Sequence, residues 1–150
     1  LPGEDCTDDD VRASTAAVAA SLELIDSRIA DWRIGICDTI ADNASSAGFV
    51  LGERRASLSE VEPRNVEAVL SIDGTVMASG RGDAVLGDPV HAVSWLARTV
   101  ARHGVRLRAG DIVLPGSCTR ALDVTAGQQV RADFGALESV FLQFSGERTS

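Results

Sequence analysis

The dipeptide Asp73-Gly74 divides two short apolar runs, Ala68-Val69-Leu70 before it and Val76-Met77 after it. A two-residue turn needs positive φ at both centres, which aspartate tolerates and glycine adopts freely, so Val66 to Ser79 is predicted to be a β-hairpin. Glycine turns also bracket three further predicted strands, near Ile112 to Leu114, Gln129 to Phe134 and Ser139 to Phe144. In Ser21 to Ser27 the pattern alternates, with Glu23 and Ile25 on one face of a strand and Leu22 and Leu24 on the other. Ala47 to Leu51 is a short apolar run and reads as a buried strand.

Two helices are predicted among these strands. Thr7 to Ala20 opens with Thr-Asp-Asp-Asp and continues rich in alanine, so an N-cap and acidic residues meet the positive end of the helix. Asp88-Pro89 is a cap followed by proline at the first helical position, and Gly104 supplies the stop, which brackets a helix from Pro89 to His103. Its apolar stripe is Val90, Val93, Leu96, Ala97 and Val100. Glu53 to Pro63 is charged and ends in proline, hence a surface loop. With 150 residues and 45% apolar content, the expectation is one β-dominated, mixed α+β domain over residues 1–150.

A formal net charge of −8 argues against nucleic acid or an anionic membrane as partner, since both ask for a basic surface. No apolar run approaches the roughly 18 to 20 residues needed to cross a bilayer. Cys6, Cys37 and Cys118 are three widely spaced cysteines without a C-x-x-C pair, which suits a reduced, cytoplasmic protein. All fourteen basic residues are arginine, and tyrosine is absent. Lysine is the cation whose pKa falls readily on burial, so amine-base and Schiff-base chemistry cannot originate in this chain. Carboxylates, a metal, or both must carry any reaction.

Two stretches go beyond generic fold signals. Ser21 to Ser46 contains Leu-Glu-Leu-Ile-Asp-Ser-Arg, then Asp-Trp-Arg-Ile, then Ala-Asp-Asn-Ala-Ser-Ser, and Gly110 to Phe144 contains Gly-Asp-Ile-Val-Leu-Pro-Gly-Ser and Val-Arg-Ala-Asp-Phe-Gly-Ala-Leu. Together they resemble the 2-hydroxypenta-2,4-dienoate hydratase (2-keto-4-pentenoate hydratase) family of the fumarylacetoacetate hydrolase superfamily, over nearly the whole chain. The resemblance implies a mixed β-sandwich roll and a divalent cation, Mg2+ or Mn2+. It also implies water addition to a 2-hydroxy-2,4-dienoate, giving a 4-hydroxy-2-oxo acid in aromatic or steroid meta-cleavage catabolism. Homo-oligomers and a small-molecule 2-oxo acid partner are implied too. Leu1-Pro2-Gly3 reads as a loop leading into a helix. By the resemblance, roughly a hundred residues would precede it, about a small domain's worth, carrying the family lysine and a Glu-x-Glu metal motif. The catalytic residues are therefore unknown from this chain.

By the same resemblance Glu23 is a metal ligand, and Asp42, Asn43, Ser45, Ser46 and Ser117 form a substrate-binding wall. Each has a plainer reading. Glu23 could face solvent or pair with Arg28, Asp26 and Arg28 could form a local ion pair, Asp42 to Ser46 could cap a turn, and Ser117 could be a turn serine. Cys118 has no histidine near it in sequence and reads as a small buried residue rather than a nucleophile. His91 and His103 lie at the ends of a helix and do not look catalytic. Glu60-Val-Glu62 imitates a Glu-x-Glu motif but lies in the charged loop before Pro63. Arg33 and Glu138 depart from the family, which commonly has lysine and glycine there, so the turn at Glu138 is expected to differ. Two rivals stay open: a 2-oxo-3-hexenedioate (4-oxalocrotonate) decarboxylase, and a non-catalytic oligomerising or binding module.

Overall fold

A computed structural model describes residues 1–146. It contains a two-stranded sheet, β1 (Ser21–Ile25) with β2 (Ser46–Leu51), and a four-stranded sheet. The larger sheet has the order β4 (Thr75–Arg81), β3 (Glu67–Ile72), β5 (Gln129–Asp133), β6 (Ser139–Gln143), and every ladder in both sheets is antiparallel. The helices are α1 (Asp8–Ser14), α2 (Ile36–Ala41) and α3 (Pro89–Ala101). This is the α+β class that the strand pattern predicts, with antiparallel sheets.

The hairpin forms at Asp73 and Gly74, with φ of 49° and 80°. The Asp73 carboxylate also accepts from the Gln129 N–H at 2.9 Å, tying the turn to β5. Inward residues Ala68, Ile72, Val130, Ala132 and Val140 are buried, as period-two alternation requires. One core cluster, Ala20, Ala56, Val61, Leu137 and Val140, joins the two sheets. A second, Cys6, Val11, Val90 and Ala97, packs α1 on α3.

α3 starts at its predicted cap, where Asp88 accepts from the Val90 N–H at 2.9 Å, and Gly104 has φ of 76° just beyond its end. By contrast, α1 stops at Ser14 rather than running to Ala20. Thr15 turns extended and donates both its N–H and its hydroxyl to the Val11 carbonyl. Val18 then exchanges two backbone hydrogen bonds with Ala56, at 2.7 and 2.9 Å, so pairing across the fold overrides the helix propensity of the alanines.

Three further expectations change. Ile112 to Leu114 is not a strand: no ladder partner reaches it among the described residues, and Pro115 and Gly116 end the run at once. β2 forms but is only half-buried, with Phe49 45% exposed, because a two-stranded sheet leaves a face uncovered. The Glu53 to Pro63 loop folds inward far enough to bury Ala56 and Val61.

Gly80 of β4 and the loop over residues 111–120 meet without side chains between them. A Cβ on Gly80 would lie 1.9 Å from the Cys118 carbonyl oxygen. At the start of β6, Glu138 has φ of 66° and ψ of −165°, a conformation natural to glycine. The turn therefore keeps a glycine geometry although the residue is glutamate.

Candidate functional site

β1 presents Glu23 opposite Phe49 of β2. The side chain is exposed, and its carboxylate enters no ion pair among the described residues. It borders an open groove of about 1410 Å³ whose lining also includes Asp26, Trp32, Ser117, Cys118 and Arg120. The strand runs of the larger sheet supply the apolar floor, and the loop over residues 111–120 supplies one wall. Of the residues expected to bind metal or substrate, Glu23 and Ser117 border this groove.

Asp42, Asn43 and Ser45 lie beyond the end of β1, Ser46 opens β2 opposite Ile25, and none of the four borders the groove. Here Arg28 turns to Asp42, not to Glu23 or the Asp26 carboxylate: Nε donates to Asp42 Oδ1 at 2.5 Å and the Arg28 N–H to Oδ2 at 3.3 Å. The hydroxyls of Ser27 and Ser45 donate to the same carboxylate at 3.4 and 3.1 Å. Burial would push the Asp42 carboxyl up, but the hydrogen bonds from Arg28 and Ser45 outweigh it and hold the group below the ordinary carboxylate value. Its side chain is only 9% exposed. Asp42 is thus fully engaged within the protein, as is Ser45, which is buried.

Asn43, Ala44 and Ser45 form a turn with three successive left-handed residues, φ 51°, 56° and 57°. Left-handed backbone costs a non-glycine residue on the order of 1 kcal/mol or more, so this turn needs holding. Ser45 N–H to Asp42 O at 2.9 Å and Asp26 N–H to Ser45 O at 2.9 Å hold it. Asn43 stays exposed at the front of the turn.

Ser117 donates its hydroxyl to Thr119 O at 2.8 Å and accepts from the Thr119 N–H at 3.3 Å. One lone pair remains, so toward the groove Ser117 offers an acceptor. Beside it, burial, with a smaller contribution from Asp83, pushes the Cys118 thiol up, which keeps it protonated and a poor nucleophile. Glu60 is occupied by Ser57, whose N–H and hydroxyl it accepts at 2.8 and 2.7 Å, and Glu62 by Arg12. The Glu60-Val-Glu62 imitation is therefore a local cap and an ion pair.

A hard divalent cation asks for several oxygen ligands. Glu23 fits as one, and among the described residues no three His, Cys, Asp or Glu side chains converge to supply a complete set. The sequence reading missed Arg28 as the residue that closes the loop between β1 and β2, and Gly80 as the seat of the groove wall. For Gly80 there was a signal, a glycine inside a strand, which marks close backbone approach. No helix among the described residues is long and apolar enough to cross a membrane.

Residues 5–142 match the family described as fumarylacetoacetate (FAA) hydrolase C-terminal. The chain is 43% identical over 145 residues to a 2-keto-4-pentenoate hydratase of Paraburkholderia phymatum, covering 97% of this chain and 55% of that protein. To a 2-hydroxyhexa-2,4-dienoate hydratase of Comamonas testosteroni it is 37% identical over 145 residues, covering 97% and 55%. The solved structure of a 4-oxalocrotonate decarboxylase from Pseudomonas putida, complexed with magnesium and adipate, superposes with a TM-score of 0.92 at 37% identity, over 96% of this chain and 55% of that one. The chain spans about half the length of the relatives it matches.

Proposed function

Since this chain belongs to the fumarylacetoacetate hydrolase family, we propose that it forms the C-terminal, hydratase-like domain of an enzyme adding water to a 2-hydroxy-2,4-dienoate to give a 4-hydroxy-2-oxo acid. The observation that carries this reading is Glu23, an exposed carboxylate with no ion-pair partner among the described residues, at the rim of the groove and within the Leu-Glu-Leu-Ile-Asp-Ser-Arg motif. Hydratases of this type among the relatives support the choice of reaction.

The chain's own residues divide the work. Glu23 would contribute one oxygen ligand to a magnesium or manganese ion, and the described residues do not bring together a complete set of such ligands. Bound there, the cation would supply Lewis-acid polarisation of the 2-oxo group. Ser117 offers its free lone pair to a hydroxyl or to the attacking water, and Asn43 offers an amide at the front of its turn. Asp42, Ser45 and Ser46 frame that turn. With no lysine in the chain, proton transfer falls to carboxylates, water or groups outside it. Trp32, Ile36 and Ile40, which are 55%, 75% and 73% exposed, support self-association into homo-oligomers.

The test presents the protein with 2-hydroxypenta-2,4-dienoate and with 2-oxohex-3-enedioate, each with magnesium. Loss of dienoate absorbance with formation of the 4-hydroxy-2-oxo acid supports the hydratase. The similarity to the decarboxylase structure favours a second reading, and release of carbon dioxide without hydration would establish it instead.

A further inference from the structure

We infer that Arg28 is a positioning residue: through Asp42 it locks the Asn43–Ser45 turn, and through that turn the end of β1 that carries Glu23, without itself meeting substrate. The inference rests on the reading of Glu23 and Asn43 as site residues.

β1 ends at Ile25 and β2 begins at Ser46, and between them the chain makes an excursion through α2. No residue of α2 is buried, so α2 itself anchors nothing. The excursion is closed at its base chiefly by the Arg28 side chain, with the Ser27 hydroxyl adding one longer hydrogen bond to the Asp42 carboxylate. Arg28 reaches both ends of it: the Asp42 carboxylate and carbonyl on the returning strand, Ser46 O at 2.8 Å, and Asp26 O at 3.3 Å on the departing one. A guanidinium has the five donors and planar fork that this requires, and an ammonium does not.

From Asp42 the connection continues inward. Its carboxylate takes the Ser45 hydroxyl and its carbonyl takes the Ser45 N–H, which closes the left-handed turn. Ser45 O then takes the Asp26 N–H, three residues after Glu23 in the same stretch of chain. Since Glu23 has no ion pair of its own among the described residues, its place is set by the backbone of β1, and the last cross-link at that end of β1 is Ser45. Other charges nearby do not compete. Asp38 turns its carboxylate to the Gly35 N–H, and Asp31 pairs loosely with Arg33 at 3.8 Å.

The test follows backbone amide resonances of the 15N-labelled chain and of R28Q, R28K and R12Q through an acid titration. Arg12 holds an equally structural pair with Glu62 and Asp88 elsewhere, so R12Q reports general loosening. In R28Q the midpoint seen at the Ser45 and Asp26 amides should rise by about one pH unit. The left-handed couplings of Asn43 to Ser45 should be lost, and the Glu23 amide should move. R28K should recover the midpoint in part but not the turn, and it serves alone if R28Q does not fold. R12Q should leave all three signals in place. The idea is overturned if the turn and the Glu23 amide stay put in both Arg28 variants, or if R12Q moves them as much. In the hydration assay R28K should raise KM about tenfold with a smaller change in kcat; an unchanged KM overturns the positioning role. Absence of hydration by the wild type would instead defeat the proposed function, and the resonance result would still decide the coupling.

Discussion

The hydroxyl of Ser94, buried in α3, donates to Asp8 Oδ1 at 2.5 Å in the first turn of α1. Oδ2 of the same carboxylate meets His91 Nε2 at 2.7 Å, so one aspartate docks the two helices. A hydrogen bond to a charged group contributes about 2 kcal/mol, and Ser94→Ala should lower unfolding stability by that amount. Urea denaturation measures it; a change too small to resolve would mean that the Ser94 hydroxyl does not contribute to docking α1.

Glu138 stands in a backbone conformation natural to glycine. Replacing it removes the steric cost without disturbing the hydrogen bond from Phe134 N–H to the residue-138 carbonyl, which is a main-chain contact. Glu138→Gly is expected to stabilise the protein by about 1 kcal/mol, net of glycine's greater freedom when unfolded. Thermal melts should show a higher Tm; a lower one contradicts the geometry.

Gly80 gives a prediction of the opposite sign. A Cβ there collides with the Cys118 carbonyl, which is backbone and cannot swing away, so Gly80→Ala must lift the loop over residues 111–120. The expected cost is about 1–3 kcal/mol. In a background carrying Cys37→Ser, which removes the exposed thiol, Cys118 should then react faster with a thiol reagent. An unchanged reaction rate would show that the loop has not moved.

Acid should destabilise the fold. The carboxyls of Asp10, Asp42, Glu60 and Asp133 are all held below their ordinary values. For Asp10 the cause is Thr7, for Glu60 it is Ser57, and for Asp133 it is Ser139 with the Gly135 N–H; at Asp42 the hydrogen bonds overcome burial. Each contributes stability that is complete above the ordinary carboxylate values, 3.8 for aspartate and 4.5 for glutamate, and lost as pH falls through its lower folded value. Tm should be level above about pH 5 and fall below about pH 4. A Tm that rises on acidification to pH 3 would reverse the sign and refute the assignment.

Glu23→Gln separates chemistry from stability. The side chain is exposed and has no ion pair among the described residues, so Tm should move by no more than about 0.5 kcal/mol implies. Cation-dependent hydration should fall about a hundredfold or more. Retained activity would remove Glu23 from the site.

What the sequence discloses follows the range of the forces involved. Asp88, Pro89 and Gly104 act on their immediate neighbours, so α3 could be read directly, and Asp73-Gly74 fixes its hairpin for the same reason. The helix that the alanines suggest to Ala20 stops at Ser14, because the pairing of Val18 with Ala56 crosses 38 positions and leaves no local mark. Ile112 to Leu114 has strand composition but no partner. At the candidate site, Glu23 and Ser117 were named in advance by motif, whereas the union of Arg28 with Asp42 spans 14 positions and a helix. Neither residue carries a local mark of the other.

Because the loop rests on Gly80 backbone to backbone, the groove has no side chain of β4 to trim or enlarge at that point. At that point a change of groove shape must therefore begin in the loop itself, at the side chains of residues 111–120, while elsewhere the floor residues of β3 and β5 remain available. Under Gly80 the sheet is a fixed anvil, and there the loop is the part open to selection.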